Sequence, residues 1–217
     1  MFSKSICLSA GLFLGAIFPL APAVHADTVT PLQAAQMSAN LYLTGLEQSD
    51  PILIMAAAKL RKSLSLSETD RAPERDGDAG ESDAQAPITW EQMLDAAEEL
   101  SLGDETLLGL IEDIRVERSK GVATGQVYSI TSIRAGGTDT YPPLPYTGGE
   151  YAEVYVEGQA STDLNLFVHD AKGRLVCSDT DISAIAYCGW RPAQTGGFTI
   201  IVMNQGGAAS SYSLITN

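Results

Sequence analysis

The spacing of apolar residues along the first half of the chain predicts helices. Between residues 30 and 66 apolar side chains recur at helical spacing in two consecutive runs. Thr30 with Gln33 at the start of the first run, and Asp50-Pro51 at the start of the second, are typical helix-starting patterns. Residues 89–120 repeat the helical spacing and begin with a second capping box. The pattern therefore predicts two antiparallel αα-hairpins, about four helices, that pack their apolar faces together.

A change in composition separates the two hairpins. Residues 67–87 contain no large apolar side chain and are rich in Glu, Asp, Arg, Gly, Ala and Pro. Such a segment cannot bury enough apolar surface to offset the entropy that it would lose on ordering. The sequence therefore predicts a disordered acidic loop over 67–87, inside a helical region that spans 27–120.

After residue 121 the helical spacing gives way to alternation of apolar and polar side chains, which is typical of strands. Glycine-containing turns separate the alternating runs. The runs are residues 126–134, 151–157, 164–169, 198–203 and 212–216. Many short strands at this spacing indicate an antiparallel β-sandwich or jelly roll over 121–217. The predicted fold class is therefore α+β, with helical hairpins followed by the sandwich.

A proline-rich stretch interrupts the predicted strands between residues 141 and 146. Its three prolines should hold the chain in a stiff, extended loop that cannot join a central strand. Tyr141 and Tyr146 at its two ends are candidate ligand contacts, because their rings could stack on a sugar or receive a partner peptide. The alternative is that this loop only covers an edge of the sandwich.

The first 26 residues have the features of a secretory signal peptide. Lys4 supplies the positive charge, residues 6–20 form a short apolar run, and the residues ending at Ala26 form a small-residue cleavage site. The run is too short for a comfortable transmembrane span, so we expect no membrane anchor after cleavage, although a retained anchor is the alternative. The expected location is the periplasm or the extracellular medium, with a mature chain that begins at Asp27.

The charge balance excludes one class of partner. The 217 residues include 13 Lys or Arg and 27 Asp or Glu, which gives a formal net charge of −14. Cleavage of the signal peptide would remove one lysine and no acidic residue, leaving the mature chain one charge more negative. Nucleic-acid binding depends on clustered basic residues, so we expect no nucleic-acid partner.

Two cysteines remain in the mature chain. Cys177 and Cys188 lie close together in a chain that we expect to be exported, where oxidation is the usual state. We therefore predict a structural disulfide between them. A metal-binding or redox-active pair is the alternative, but the two lack the C-x-x-C spacing and the basic neighbours that would lower a thiol pKa.

The sequence contains no recognisable catalytic constellation. His169 is the only histidine of the mature chain, and nucleophile, metalloprotease and nucleotide-binding motifs are absent from the sequence. We therefore expect a non-enzymatic binding or accessory protein with an unidentified protein or glycan partner. Two alternatives remain open: a hydrolase that uses dispersed carboxylates, and a structural partner that docks through its helices.

A recognisable order of motifs runs through the last seventy residues. It starts with Gly149-Glu150-Tyr151, continues with the strand of residues 162–168 and the Asp170-Ala171-Lys172-Gly173 turn, and ends with the strand at Tyr212. This order resembles the bacterial pre-peptidase C-terminal domain, except that Asn165 stands in place of the second Asp of its Asp-Leu-Asp-Leu strand. The resemblance implies a jelly-roll-like, non-catalytic accessory or binding domain of exported proteins, in some cases with a structural calcium ion. No peptidase precedes it here.

Calcium is accordingly the one candidate cofactor. Asp163 and Asn165 are two residues apart, so their side chains share one face of the predicted strand. Three further carboxylates follow in nearby loops: Asp170, Asp179 and Asp181. If these oxygens converge they could bind calcium, which prefers hard oxygen ligands. The alternative is that they are solvated turn residues, with Asp170 forming an Asx turn.

Overall fold

The computed structural model describes residues 29–75, 77–80, 88–117, 126–158 and 162–217. The predicted signal peptide and residues 81–87 of the acidic segment lie outside these ranges. The described residues form four helices and ten strands. Two short strands lie between the two helical hairpins, and the other eight follow the second hairpin. The α+β fold class predicted from the sequence is therefore confirmed.

The helices begin where the sequence predicts. They are α1 (Pro31–Gln48), α2 (Pro51–Lys62), α3 (Trp90–Leu100) and α4 (Glu105–Val116). Thr30 and Thr89 each form a complete capping box, and Asp50 accepts hydrogen bonds from two backbone amides of the first turn of α2. The apolar faces of α2, α3 and α4 pack on one another around Ile54, Met93 and Ile111. None of the described helices is both long and apolar enough to span a membrane.

The strands form two five-stranded sheets. Their bounds are β1 (Ser67–Glu68), β2 (Glu74–Arg75), β3 (Val127–Ile133), β4 (Thr138–Tyr146), β5 (Ala152–Gly158), β6 (Leu164–His169), β7 (Leu175–Asp179), β8 (Ile185–Trp190), β9 (Gly196–Asn204) and β10 (Ser210–Thr216). The strand order is β1-β3-β10-β5-β8 in sheet 1 and β2-β4-β9-β6-β7 in sheet 2. All pairs are antiparallel except the short β1–β3 pair. The arrangement is a β-sandwich.

The two sheets differ in what covers their outer faces. In sheet 2, β6 and β9 alternate between buried and partly exposed side chains, as strands with one solvated face do. In sheet 1, almost every residue of β5 and β10 is buried. The reason is that α1 packs on the outer face of sheet 1, where Leu32 and Ala35 contact a cluster that includes Tyr155 and Ile215. The helical layer therefore forms a third layer on one side of the sandwich.

The acidic segment is ordered where the structure describes it, which corrects the prediction of disorder for residues 67–75. Its two short strands, β1 and β2, lie at the same edge of the two sheets. Arg75 donates to the carboxylate of Asp139 on β4 (2.9 Å) and to the backbone carbonyl of Ser132 on β3 (3.0 Å), so it joins the sheets. The bonds of Arg75 and the backbone hydrogen bonds of Ser67 and Thr69 hold this segment in place. A hydrophobicity pattern cannot register such bonds.

The predicted disulfide closes the opposite edge. Cys177 on β7 and Cys188 on β8 are bonded, with 5.9 Å between their Cα atoms. Since β7 is the last strand of sheet 2 and β8 the last strand of sheet 1, the bond connects the two sheets. The sandwich is thus fixed by arginine at one edge and by a covalent bond at the other.

Candidate ligand-binding groove

The two tyrosines predicted as ligand contacts are core residues, so that prediction is wrong. Tyr141 and Tyr146 belong to β4 and are only 1% and 7% exposed. The Tyr141 hydroxyl lies 2.8 Å from the hydroxyl of Tyr212, and burial raises the pKa of Tyr141. The prolines between them occupy exposed positions around an irregularity in pairing with β9. Beyond Thr140, no strand among the described residues pairs with β4 on its other side, which is where missing proline N–H groups are tolerated.

The five residues proposed for calcium do not converge. Asp163 precedes β6 and Asp170 follows it, so the strand's full length separates them. Asp170 accepts hydrogen bonds from the backbone amides of Lys172 and Arg174 and forms an ion pair with the Arg174 side chain. Hydrogen bonds from Arg174, first from its side chain and then from its backbone, lower the pKa of Asp170 to about 2. Asp170 is therefore the Asx-turn residue of the alternative interpretation.

The carboxylate of Asp179 has local partners too. Asp179 accepts hydrogen bonds from the backbone amides of Tyr187 (2.8 Å) and Asp181 (3.3 Å). Among the described residues, no three His, Cys, Asp or Glu side chains come together as a metal site would require. Asp163 and Asn165 do share the outer face of sheet 2. Each has one buried side-chain oxygen with no hydrogen-bond partner in the described part of the chain.

A concave surface lies at one end of the sandwich. It is a groove of about 490 Å³ between the turn that follows β6 and the loop that joins β8 to β9. Residues 170–174 form one wall, and residues 191–197 form the other. Because Asp170 fixes the first turn through its hydrogen bonds, the sequence Asp-Ala-Lys-Gly determines the local shape of that wall.

The loop before β5 supports the second wall. The amide of Gly149 donates to the carbonyl of Pro192 (2.7 Å), and the amide of Gly148 donates to the hydroxyl of Thr195 (2.9 Å). Arg191 donates in return to the carbonyl of Gly149 (2.6 Å). A Cβ atom on Gly148 would lie 2.7 Å from the backbone nitrogen of Thr195, so this approach requires glycine. In the sequence Gly148 and Gly149 appear only as turn residues. In the structure they hold the loop before β5 against the loop that joins β8 to β9.

Aromatic residues form the base of the groove. Trp190 and Phe198 line it, with 5.4 Å between their ring centroids, and Tyr146 packs edge-on against Trp190 at 4.9 Å. Trp190 is 7% exposed, and its indole N–H has no hydrogen-bond partner among the described residues. A buried tryptophan normally finds an acceptor for this group. The base of the groove therefore contains an unused donor.

The groove is basic in a strongly acidic chain. Lys172, Arg174 and Arg191 line it and are exposed, while Asp170 is the single acidic residue in the lining. The guanidinium of Arg191 also lies 5.9 Å from the ring centroid of Tyr151, which is 38% exposed. The lining thus carries three exposed cations, one of which, Arg191, lies near the partly exposed ring of Tyr151 outside the lining.

A second depression adjoins the groove on the outer face of sheet 2. It has a volume of about 460 Å³ and shares Asp170, Ala171 and Gly197 with the first. His169 and Thr199 contribute to its surface, and His169 Nδ1 is buried without a partner among the described residues. The two depressions together form a continuous concave path from the sandwich end onto the uncovered sheet.

No protein-family profile matches the chain, and no curated protein has a significantly similar sequence. Similar solved structures are β-sandwich modules. The pre-peptidase C-terminal domain of a Bacillus anthracis collagenase has 8% identity and a TM-score of 0.30, covering 42% of this chain and 79% of its own.

Two carbohydrate-binding modules show comparable similarity. The C-terminal family 6 module of a laminarinase from Zobellia galactanivorans has 9% identity and a TM-score of 0.28, covering 40% of this chain and 80% of its own. A family 6 module from Clostridium stercorarium, solved with cellobiose, has 14% identity and a TM-score of 0.26, covering 39% and 70%. What these proteins have in common with this chain is a β-sandwich.

Proposed function

We propose that this protein is an exported, non-catalytic binding module whose ligand site is the groove between residues 170–174 and 191–197. The observation that carries the proposal is the groove itself, a concave surface with an aromatic base and polar walls. Ligand sites in proteins combine these features, and loops held by a rigid scaffold commonly carry them. The two turns of this groove extend from a sandwich whose sheets are connected at both edges, by Arg75 at one and by the disulfide at the other.

The carboxylates support a binding role over the hydrolase alternative. The buried acidic residues that the structure describes are Asp139, Glu153 and Glu157, and each holds other parts of the fold together. Asp139 binds Arg75, Glu157 binds Arg61, and Glu153 accepts from the Tyr187 hydroxyl at 2.6 Å. A glycosidase needs two carboxylates that face a shared substrate space. These three instead face protein partners.

Export is part of the proposal. The features of residues 1–26 are those of a cleaved signal, and a disulfide between the sheets is typical of proteins that fold outside the cytosol. We expect the native protein to be recovered from the periplasm or medium with Asp27 as its first residue. N-terminal sequencing of the product tests this, and an intact Met1 in a cytosolic fraction would contradict it.

The experiment for the binding role uses the mature chain, Asp27 to Asn217, against immobilised glycan and peptide libraries. The matched variant is Gly196→Trp. A Cβ at Gly196 meets open space, and the indole would fill the groove without changing its charge. We expect binding that Gly196→Trp abolishes while the melting temperature stays within a few degrees. Chemical turnover of a library member, or binding that is unaffected by the variant, would overturn the proposal.

We further propose that calcium binds weakly at Asp163 and Asn165 rather than at the full set of five residues. The support is that both side chains have an unpartnered buried oxygen on the same strand face. Few protein ligands imply millimolar affinity. We expect millimolar calcium to raise the melting temperature by a few degrees in the native chain and in Asp181→Asn, but not in Asp163→Asn. An unchanged melting temperature in the native chain would end this proposal.

A further inference from the structure

The basic groove is a local exception in the charge distribution. The chain has a formal net charge of −14, yet three cations and one acid line the groove. Lys172 is exposed, and its ammonium has no hydrogen bond or ion pair to the residues that the structure describes. The single acid, Asp170, is already bonded to two backbone amides and to Arg174. Arg174 pairs with Asp170, and Arg191 donates to the carbonyl of Gly149. The lining therefore keeps an excess of positive charge, of which the charge of Lys172 has no partner among the described residues.

We propose that the groove recognises the carboxylate groups of an acidic polysaccharide, one that contains uronic acid units. This inference rests on the binding role proposed above and names the ligand class for the same site. The N–H groups of Arg174 and Arg191 that their bonds to Asp170 and Gly149 leave free can donate to a carboxylate, and Lys172 adds a mobile positive charge. These groups would favour an anionic ligand over a neutral one of the same shape.

The walls favour a sugar over an acidic peptide. Most of the lining comes from the two turns, and Val176 is its one residue from the edge strand β7, so a peptide that docks as an added strand would contact little of the groove. Gln194 and Thr195 are exposed in the lining and present amide and hydroxyl groups, which suit ring hydroxyls. Tyr151, beside Arg191, presents an exposed ring on which a sugar face can stack.

The base of the groove provides one further contact. The indole N–H of Trp190 has no acceptor among the described residues, and Trp190 lines the groove. This N–H is itself buried, so the contact that Trp190 can offer a ligand is with its ring. The aromatic base and the basic rim would then act on different parts of one sugar unit, its ring and its carboxylate.

The test compares two ligands that differ only at the carboxyl group, which is charged in one and esterified in the other. Titration calorimetry of the mature chain at about 0.15 M salt would use oligogalacturonate and the same oligomer as its methyl ester. We expect the ester to bind about tenfold more weakly, or not detectably, because it lacks the negative charge. Equal affinity for both forms would overturn the uronate inference.

Paired variants test whether the groove, rather than the overall charge, is responsible. Lys172→Glu should weaken oligogalacturonate binding about tenfold or more. Lys59→Glu makes the same charge change on the exposed side of α2 and should have little effect. Asp170→Asn removes the groove's acid while keeping an oxygen for the turn, so it should bind more tightly. Equal losses in the two lysine variants would show non-specific attraction and overturn the inference.

Two other results separate this inference from the binding role. If oligoglutamate or a neutral glycan binds in place of oligogalacturonate, and Gly196→Trp abolishes that binding, the uronate inference fails while the groove remains a binding site. If no glycan or peptide binds the mature chain, both fail. Far-ultraviolet circular dichroism of each variant confirms that loss of binding does not reflect loss of folding.

Discussion

At the scale of single residues, the contact between helices and sandwich depends on a buried ion pair. Arg61 on α2 donates to Glu157 on β5 at 2.8 Å, and both side chains are about 5% exposed or less. The hydroxyl of Tyr155 and the amide of Ile88 donate to the same carboxylate. Burial alone would lower the pKa of Arg61, but the charge and hydrogen bond of Glu157, together with the contribution of Tyr155, more than offset this and raise the pKa. Arg61 therefore stays charged and depends on Glu157.

We predict that Glu157→Gln lowers the free energy of unfolding by about 3–5 kcal/mol, because it leaves a buried guanidinium without its counter-charge. Urea denaturation measures this, and Glu112→Gln on the exposed face of α4 is the matched control, with a change within about 0.5 kcal/mol. The double variant Arg61→Met/Glu157→Gln should recover part of the loss. A loss under 1 kcal/mol in the single variant would show that the pair is not essential.

At the scale of elements, the segment that carries β1 and β2 is held by its arginines. The amides of Ser67 and Thr69 donate to carbonyls of residues next to and within β3, and Arg75 binds Asp139. We predict that Arg75→Ala lowers stability by about 2–3 kcal/mol and speeds amide exchange over residues 67–75. Hydrogen exchange followed by mass spectrometry measures this, with Lys59→Ala as the control. Unchanged exchange over 67–75 would contradict it.

The same substitution should have a characteristic pH dependence. Burial raises the pKa of Asp139, although hydrogen bonds from Tyr212 and Arg75 oppose that rise. Removing Arg75 should raise the pKa of Asp139 further. The variant should therefore lose the most stability at pH values at which Asp139 is ionised. Its deficit should therefore be largest near pH 7 and shrink as the pH falls through the folded pKa of Asp139. Urea denaturation at several pH values checks this, and a deficit that grows toward acid would contradict it.

Elements with local signals were predictable from sequence, whereas elements defined by their neighbours were not. Thr30, Asp50 and Thr89 mark helix starts because a cap is satisfied by the next few residues. In contrast, β4 contains prolines, and the sequence therefore predicts a loop there. These prolines fit in a strand because no strand among the described residues pairs with β4 on that side beyond Thr140. The groove is formed by turns that are separated in the chain. The sequence therefore identifies its residues as turn residues but does not predict that they line one groove.

At the scale of the whole molecule, the sequence shows the alternation of side chains in β5 but not that both faces of this strand are buried. Glu153, Tyr155 and Glu157 occupy the positions that an isolated sandwich would expose to water. All three are buried, because α1, α2 and residue 88 cover them and supply their partners. The polar face of β5 is thus an interface, and the helical layer completes sheet 1.

This arrangement predicts that the sandwich does not stand alone, although the change of pattern at residue 121 suggests a separate domain. In a chain of residues 126–217, Tyr155, Ile185 and Ile215 would lose the cover of α1, and Glu157 would lose Arg61. Exposing this apolar surface and leaving the carboxylates unpartnered should remove most of the stability. We expect the fragment to lack a cooperative thermal transition by circular dichroism, whereas the chain from residue 27 to 217 melts in a single one. A fragment that melts cooperatively within a few degrees of the longer chain would show instead that the two regions are independent domains.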